Sequence, residues 1–430
     1  MAVSIFKDLI ADLFQGVVTG KYEKINGQKE APKYFHDQYL TPEYSMDMTY
    51  NSLSGDYTRI AADIVAFDSP LPIKSRGSIK SASGEIPKIG MKMTLNEKQM
   101  NTLRIMRRTP GAKFEMVKKI FADTEAVIYG VKERVEQAFL LGFSNSGVTL
   151  IQDTDNAGYG IRIDFGVPAA NKFGVVTPWS DPAALIIDDL KRVKQKANDA
   201  GQTPDTMWLN SDIVAKFYAN TQIKGLFAFN QGFVGATIPT LDDTQVKGVI
   251  SRALGLSSIV IDRSFTEQRD KTRTVSQGWT KDMVVLTTGT NVGSLPYSTL
   301  AEEEFPQEGV QYAKANAYIL VAKNGTTDPV SEQTAASAIV FPILQNVESF
   351  FYINTEEATA SLDVQTEGNT GYLYQGTLYL KTSVVDGLNA TKEVATSTTS
   401  QLDATLAGKI DKLSEEGIAT FEAALIAGGI

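Results

Sequence analysis

The sequence predicts an α+β fold, a sheet with helices packed against it. Three patterns carry this prediction. Apolar residues recur at helical spacing over about thirty positions, an alternating apolar/polar strand pattern precedes them, and short apolar strands lie on both sides. These elements do not follow the strict strand–helix–strand repeat that a doubly wound sheet requires, so we expect α+β rather than α/β architecture.

A long helix is predicted between about residues 112 and 141, roughly 45 Å at 1.5 Å per residue. Its apolar seam steps by three or four through Phe114, Val117, Phe121, Thr124, Ile128, Val131, Val135 and Ala138. Pro110-Gly111 precedes the helix, and we expect Gly142 to end it. Gly130 inside it costs about 1 kcal/mol relative to alanine, which indicates close packing there. Two pairs have the spacing of stabilising helix contacts: Glu115 with Lys119, and Lys132 with Glu136.

The first sixty residues are predicted to form a helix followed by an arm. Apolar residues at helical spacing indicate an amphipathic helix over about residues 3–18. Residues 21–60 show little periodicity but contain seven tyrosine and phenylalanine side chains. A disordered linker is normally polar, so this segment is either an arm that lies along another surface or a long surface loop of its own domain.

Residues 63–99 are predicted to form a long hairpin. Ile89, Met91, Met93 and Leu95 alternate with smaller or polar residues, as in a half-buried strand. Residues 75–84 form a basic tip rich in glycine and serine. A two-stranded ribbon is marginally stable alone in water, so we expect this one to need a surface to lie on.

The rest of the chain divides near residue 355. Before that point a helix is predicted from Asp181-Pro182 to Gly201, and another begins at Asn210 or Ser211. Strands are predicted at 148–151, 160–165, 206–209, 257–261, 283–287, 318–322 and 338–344. After residue 355 a hairpin at 371–382 and a helix at 411–425 indicate a small appended domain.

Charge and composition exclude several classes of protein. The net charge is −9, without the basic stripe of a nucleic-acid-binding protein. There is no cysteine, no apolar run of membrane-spanning length and no basic segment typical of a signal peptide. Residues 350–430 carry −7, whereas residues 62–110 carry +5. Opposite charges on one chain suggest contacts between copies, although solvated faces of an ordinary domain would look the same.

The sequence predicts no catalytic, cofactor-binding or metal-binding residue. His36 is the only histidine, so a histidine-based metal site cannot be assembled, and no serine nucleophile elbow accompanies it. We expect His36 to be structural. Glu302, Glu303 and Glu304 could bind a divalent cation or serve a carboxylate-dependent hydrolase, but consecutive carboxylates are usually solvated. Arg107 and Arg108 are either simply exposed or ion-paired with this acidic cluster of another copy.

Four segments together resemble the lambda-type major capsid proteins of tailed bacteriophages. They are residues 67–78 (FDSPLPIKSRGS), residues 204–217 (PDTMWLNSDIVAKF), residues 284–289 leading through Gly293 and Pro296 to Glu302, and residues 338–344 (AIVFPIL). Their order and spacing carry the resemblance, which covers about residues 60–355. It implies the Hong Kong 97 phage capsid fold, self-association into hexamers and pentamers, and no enzymatic activity.

The resemblance also implies a division of the chain. The expected parts are an N-terminal arm (1–60), an extended loop (61–110), a peripheral domain with the long spine helix (111–200), an axial domain (201–295), return strands of the peripheral domain (296–355) and a C-terminal accessory domain (356–430). The accessory domain departs from the family pattern. We expect inter-subunit contacts at eight charged residues: Arg76, Lys80, Lys88, Arg107, Arg108, Glu302, Glu303 and Glu304.

These expectations describe the icosahedral head shell of a virion that encloses double-stranded DNA. The shell would be assembled in the host bacterial cytoplasm, with scaffold, portal and decoration proteins as candidate partners. DNA would be met only through non-specific proximity, and no membrane is expected. The alternative is an encapsulin-like nanocompartment of the same fold. A tail-tube or other virion protein is a further alternative, but the long helix argues against it.

Overall fold

The computed structural model describes most of the chain and divides it into two compact units. The described residues are 14–27, 34–55, 79–108, 121–151, 160–231, 241–269, 272–328, 330–358, 371–374, 377–394, 409–410 and 412–427. Unit 1 comprises Met1–Lys172, Ala197–Ala215 and Ile250–Tyr352. Unit 2 comprises Phe173–Lys196, Lys216–Val249 and Ile353–Ile430.

Helices and strands are mixed throughout, which confirms the predicted α+β class. The helices are α1 (Phe14–Gly27), α2 (Phe35–Tyr39), α3 (Glu97–Arg108), α4 (Ala122–Ser144), α5 (Ile186–Asp199), α6 (Ser211–Ala219), α7 (Thr221–Gln231), α8 (Asp243–Leu254), α9 (Ala301–Glu304), α10 (Lys381–Thr391) and α11 (Glu415–Ala427). No described helix is both long enough and apolar enough to cross a membrane.

The strands include every one that the sequence predicts in the described ranges. They are β1 (Leu40–Tyr44), β2 (Thr49–Gly55), β3 (Ile79–Glu85), β4 (Lys88–Leu95), β5 (Val148–Ile151), β6 (Ile161–Asp164), β7 (Lys172–Val175), β8 (Thr206–Leu209), β9 (Ser257–Val260), β10 (Ser264–Arg269), β11 (Thr272–Gln277), β12 (Met283–Thr287), β13 (Gly293–Ser298), β14 (Gln311–Lys314), β15 (Leu320–Thr327), β16 (Val330–Val340), β17 (Ile343–Leu344), β18 (Phe351–Ala358), β19 (Gly371–Tyr374) and β20 (Thr377–Leu380). The bounds of β5, β8 and β12 equal the predicted ones.

Unit 1 is built on a seven-stranded sheet. Strands β1, β13, β16, β15 and β14 lie side by side in that order, β17 also pairs with β13, and β4 also pairs with β16. Strand β16 is central: β15 pairs antiparallel with its residues 330–337, and β4 pairs antiparallel with its residues 332–339. Because these two ranges overlap, β15 and β4 must lie on opposite edges of β16.

Helix α4 lies on this sheet, as the sequence predicts. The described part of the apolar seam, from Phe121 to Ala138, is buried. A Cβ atom placed on Gly130 would lie 2.2 Å from Sδ of Met91 in β4, so the absence of a side chain lets the strand approach the helix. This confirms close packing at Gly130. Residues 112–120 of the predicted helix lie outside the described residues.

The predicted end of this helix at Gly142 is wrong. The helix continues to Ser144 and ends where Ser146 and Gly147 adopt positive φ angles. Gly142 serves a different purpose, since a Cβ there would collide with the side chain of Thr149 in β5. The glycine is therefore explained by the close approach of a strand rather than by termination.

An aromatic cluster joins the end of α4 to the rest of unit 1. The Phe143 ring makes edge contacts with Trp208, Trp279 and Phe350, at centroid distances of 5.2, 5.9 and 5.6 Å, and stacks on Phe139 at 5.8 Å. Aromatic pairs in these geometries contribute about 0.5–1.5 kcal/mol each beyond their buried area. The cluster therefore fixes the C-terminal end of the long helix.

The prediction of an irregular segment over residues 21–60 is wrong where the structure describes it. Helix α1 runs to Gly27, nine residues beyond the predicted end, and its Phe14 stacks on Phe121 at 6.2 Å. Helix α2 and strands β1 and β2 follow, and Tyr34 and Tyr50 are buried. Tyr34 and Tyr50 therefore contribute to the core of their own unit, whereas Tyr44 is exposed. The start of the predicted helix, residues 3–13, lies outside the described residues.

The predicted hairpin over residues 63–99 is also wrong in its pairing. Strand β3 pairs antiparallel with β2, whereas β4 pairs with β16. Residues 79–84 of the predicted tip are part of β3, and residues 75–78 lie outside the described residues. The period of two correctly identifies β4 as a strand, but a period does not specify which strand becomes its partner.

Unit 2 contains the predicted C-terminal elements. Strands β19 and β20 form the predicted antiparallel hairpin, and α11 confirms the helix predicted near residues 411–425. Helix α10 was not predicted. It shares a small core with α11 through Val384, Leu388, Leu413 and Phe421, and the hydroxyl of Ser414 accepts a hydrogen bond from Gly417 N as the N-terminal cap of α11. The predicted boundary near residue 355 falls within β18.

Helix α5 begins four residues later than Pro182. Asp181 accepts a hydrogen bond from Ala183 N at 2.8 Å, which closes a turn before the helix starts at Ile186. The helix stop at Gly201 is confirmed by a φ of +77°. Asn210 is confirmed as the cap of α6, because its side-chain oxygen accepts from Ile213 N at 3.2 Å.

Candidate subunit-contact site

The three consecutive glutamates lie in helix α9, directly after β13, and not in a loop. Lys88 Nζ donates to Glu302 Oε1 at 2.9 Å, with side-chain exposures of 52% and 38%. Lys314 pairs with Glu303. Glu304 is exposed. Ion pairs therefore connect helix α9 to strands β4 and β14 of the sheet.

The structure brings together only some of the predicted contact residues. The Lys88–Glu302 pair lies within one chain. The backbone of Lys80 lies in β3 opposite Ser54, and Arg107 and Arg108 end helix α3, but the side chains of all three lie outside the described part of the structure, as does Arg76 entirely. Contacts of these residues with another copy stay a prediction. Exposed ion pairs contribute about 0–1 kcal/mol, so exchanging a partner between copies would cost little.

A buried polar cluster joins the segment before β1 to helix α4. The carboxylate of Glu136 is fully buried and accepts three hydrogen bonds, from Phe35 N at 2.8 Å, His36 N at 2.9 Å and His36 Nδ1 at 2.5 Å. A carboxylate can only accept, so the Nδ1 atom of His36 carries a proton. Glu136 therefore anchors α2 to the long helix.

Two further charge contacts surround this anchor. Lys132 Nζ donates to Asp37 Oδ2 at 2.8 Å. Arg263 donates to both oxygens of Glu133, at 2.9 and 3.0 Å. Tyr34 donates to Glu133 Oε1 at 2.9 Å, and burial together with the nearby Glu133 charge raises the pKa of Tyr34 far above its ordinary value. Lys132 is fully buried and thus has an acidic partner, as a buried charge requires, whereas Asp37 and Glu133 are partly exposed.

The sequence predicted only part of this anchor. It identified His36 as structural, which its buried position supports, and it paired Lys132 with Glu136 along the helix. The observed partners are instead Asp37 and His36, about 100 positions earlier in the chain. The available signal was that Lys132 and Glu136 directly follow seam residues Val131 and Val135, where charges need buried partners.

A second buried charge lies beneath the start of α4. Lys323 of β15 donates to Thr334 Oγ1 at 3.0 Å, and its Nζ atom lies 5.7 Å from the centre of the Phe121 ring. Burial lowers the pKa of Lys323, and the charges of Glu332 and Asp123 oppose this shift. Within the described ranges no cluster of three or more acidic or histidine side chains could hold a metal ion.

Solved structures of phage proteins are similar to this chain over most of its length. A protein assigned as the capsid protein of a prophage of E. coli CFT073 has 16% identity and a TM-score of 0.47, covering 78% of this chain and 98% of that chain. A phage-related protein of Bordetella bronchiseptica RB50 has 12% identity and a TM-score of 0.44 (80% and 98%), and the capsid of cyanophage A-1(L) has 11% and 0.42 (77% and 95%). No curated protein matches the chain.

The family comparison is decisive. The model of the family described as phage major capsid protein E matches residues 22–348, which include α4, the seven-stranded sheet and the buried anchor. This match does not favour the nanocompartment alternative. The role that follows from it is that of a shell-forming capsid protein in the virion head. The chain belongs to the phage major capsid protein E family.

Proposed function

We propose that many copies of this chain build the closed, icosahedral head of a tailed bacteriophage from hexamers and pentamers, enclosing double-stranded DNA. The observation that carries the proposal is the family match over residues 22–348. Identical subunits that meet through two different surfaces form closed assemblies when the rotation between them closes. The function is structural rather than catalytic.

The anchored helix and sheet suit this role. A shell subunit must keep its contact surfaces in fixed positions while neighbours pull on them. The anchor at Glu136 fixes the chain just before β1, and β1 pairs in parallel with β13 from Leu40 to Tyr44. These contacts support a rigid platform from which earlier residues could reach a neighbour.

We propose that the parts of the chain have the roles that the resemblance to major capsid proteins implies. Residues 1–60 serve as the N-terminal arm, 61–110 as the extended loop, 111–200 and 296–355 as the peripheral domain, 201–295 as the axial domain and 356–430 as an accessory domain. The pairing of β2 with β3 supports the proposal that the extended loop begins before residue 61, because β2 starts at Thr49. The eight charged residues from Arg76 to Glu304 are proposed to contact neighbouring copies.

The accessory domain is proposed to lie on the outside of the shell or between capsomers. Residues 350–430 carry a charge of −7. Facing this charge toward packaged DNA would be repulsive over about 8–10 Å at physiological salt. A subunit map of the assembled particle tests this placement, and density for residues 356–430 on the inner surface would contradict it.

The proposed partners are chiefly other copies of the chain. Assembly would take place in the host bacterial cytoplasm, and scaffold, portal and decoration proteins are proposed as further partners. DNA is met without specific binding, because the net charge of −9 provides no general attraction for phosphates.

Negative-stain microscopy of the purified chain tests the proposal. We expect hollow particles of uniform diameter with resolvable six-fold and five-fold capsomers. A matched variant with Glu43→Gln, an exposed residue of β1, should give the same particles. Open sheets, tubes alone or only small oligomers at every protein concentration would contradict it.

A further inference from the structure

Strand β14 lies at one end of the seven-stranded sheet, and its outer edge faces helix α1. Among the described strands β14 pairs with β15 alone, through residues 311–314. In an antiparallel pair, successive residues point their N–H and C=O groups alternately toward the partner and away from it. An end strand therefore presents backbone groups that can pair with a strand of another molecule unless something covers them.

The side chain of Gln15 in α1 occupies this edge in the way that a neighbouring strand would. Gln15 Nε2 donates to the carbonyl oxygen of Lys314 at 2.8 Å, and the backbone N–H of Lys314 donates to Gln15 Oε1 at 3.1 Å. One side-chain amide thus satisfies both backbone groups of an edge residue. The two hydrogen bonds also show that the backbone of Lys314 faces outward, so by alternation the backbone of Tyr312 faces outward as well.

Further contacts hold Gln15 in this position. Its Nε2 atom also donates to Thr19 Oγ1 at 3.1 Å. The orientation of the amide is therefore fixed, because the reversed amide would place its oxygen against the carbonyl oxygen of the strand. The helix itself is anchored by Phe14, which stacks on Phe121 at 6.2 Å, and by Val18, which is fully buried. Gln15 is thus held at the edge both by its own helix and by the core of unit 1.

The edge that α1 covers is complementary to the same edge of a second copy. Two β14 strands related by a two-fold axis can lie antiparallel with Tyr312 opposite Lys314 of the second copy and Ala313 opposite its own counterpart. Outward-facing residues are then directly opposite each other, so each Tyr312–Lys314 pair exchanges two backbone hydrogen bonds. A lysine beside an aromatic ring is attractive. A two-fold contact of this kind uses the same surface on both copies.

We propose that helix α1 covers an edge at which two copies of this chain would otherwise join their sheets through β14, and that Gln15 holds this cover in place. The inference goes beyond the proposed function, because it concerns a contact that shell subunits have to avoid. Pairing through β14 would join subunits two by two and compete with the contacts that build hexamers and pentamers. The cover therefore directs association to other surfaces of the subunit.

Hydrogen–deuterium exchange of the full chain tests the role of Gln15. Gln15→Leu removes both hydrogen bonds to Lys314 and keeps a side chain of similar size. Exchange of the Lys314 amide, followed in a peptide that covers residues 309–318, should rise by about tenfold or more, as expected for the loss of two hydrogen bonds. The matched control is Gly16→Ala, because a Cβ atom at Gly16 meets no atom within 4 Å. Its exchange rate should not rise.

Cysteine crosslinking tests the pairing of two copies, because the chain contains no cysteine of its own. Ala313→Cys places a thiol opposite its counterpart in the second copy, where Cα atoms lie about 4.5 Å apart. Lys314→Cys is the control, since its two Cα atoms would lie about 9 Å apart, and a disulfide requires about 7 Å or less. We expect a disulfide-linked dimer, which reductant removes, from the Gln15→Leu/Ala313→Cys chain. Ala313→Cys alone should give about tenfold less dimer, and Gln15→Leu/Lys314→Cys should give none.

Several results would overturn the inference. An unchanged exchange rate of the Lys314 amide in Gln15→Leu would show that the glutamine does not hold the cover. Absence of a dimer from Gln15→Leu/Ala313→Cys, or equal amounts of dimer with and without the Gln15 substitution, would show that no copy pairs at this edge. Equal amounts of dimer from the variants at positions 313 and 314 would contradict the two-fold register.

A second substitution keeps the test decisive if Gln15→Leu does not fold. Gln15→Glu has the same length and keeps an acceptor for the Lys314 N–H, but it places an oxygen against the Lys314 carbonyl oxygen. It should produce the same dimer with Ala313→Cys, and its failure to do so would also overturn the inference. The dimer is measured on a denaturing gel, so this result is separate from the formation of shells, which tests the proposed function.

Discussion

Replacing Glu136 by alanine should release the segment that precedes β1 from the long helix. The substitution removes the acceptor of three hydrogen bonds, from Phe35 N, His36 N and His36 Nδ1. It leaves these donors buried, since Glu136 and His36 are both fully inaccessible to solvent. The contact lies about 100 positions apart in the sequence, so no neighbouring residue can replace it easily.

The expected magnitude follows from the donors that lose their partner. An unsatisfied buried donor costs about 1–3 kcal/mol, so the loss of the acceptor for three donors costs about 3 kcal/mol or more. Taking about 3 kcal/mol as the lower value, the equilibrium for local opening of residues 34–39 should rise by roughly 150-fold.

Hydrogen–deuterium exchange of a peptide that covers residues 34–44 measures this opening. Exchange of the amides of Phe35 and His36 should accelerate by about two orders of magnitude in the Glu136→Ala variant. The matched control is Glu43→Ala, which removes a carboxylate from an exposed position of the same peptide. Peptides from β12, elsewhere in unit 1, should exchange at unchanged rates in both variants.

The reasoning would be refuted if Glu136→Ala exchanged as slowly as Glu43→Ala over residues 34–44. That result would mean that β1 pairing and apolar contacts alone hold the segment. The three short hydrogen bonds would then contribute nothing measurable to its position.

Three further predictions concern the sheet and the ribbon. Gly130→Leu should lower the melting temperature, because the new side chain needs the space of Met91 and overpacking costs about 1–3 kcal/mol; calorimetry showing an unchanged melting temperature would contradict this. Burial lowers the pKa of Lys323, so between that lowered pKa and the ordinary lysine value the unfolded chain binds more protons and stability should rise with pH. Urea titrations should show that Lys323→Met loses this rise, and an equal slope in both proteins would argue against it. Deleting residues 75–84 should leave a soluble protein that forms no stable shells by sedimentation, and normal shells from this deletion would count against the proposed role of the loop.

Local elements could be predicted because their signals are local. Strands β5, β8 and β12 are short apolar runs between turn residues, and Asn210 caps α6 with its own side chain. The buried seam of α4 follows from spacing alone. Two capping pairs have equally local signals: Asn96 with Gln99 before α3, and Asp242 with Gln245 before α8.

Pairing between distant segments could not be predicted in the same way. Strand β4 finds its partner about 240 residues later in β16, and nothing in its alternation specifies that choice. The contacts of Glu136 could not be predicted for the same reason. Their donors lie in the short helix α2, a segment that shows little periodicity in the sequence. Gly142 shows the related ambiguity that a glycine can either end a helix or admit a neighbouring strand.

The resemblance to major capsid proteins carried more functional information than any single residue. Its family was confirmed. Contacts of all eight charged residues with another copy stay predictions, and the Lys88–Glu302 pair is observed within one chain. The difference has a physical reason, because a contact between copies depends on the relative placement of two chains and not on one chain alone.

Sedimentation velocity of the purified chain tests the central claim most directly. A shell-forming subunit should sediment mainly as one fast, narrow boundary of closed particles, in equilibrium with a small pool of subunits or capsomers. A single slow boundary of compact monomers across the accessible range of protein concentration and salt would contradict the account.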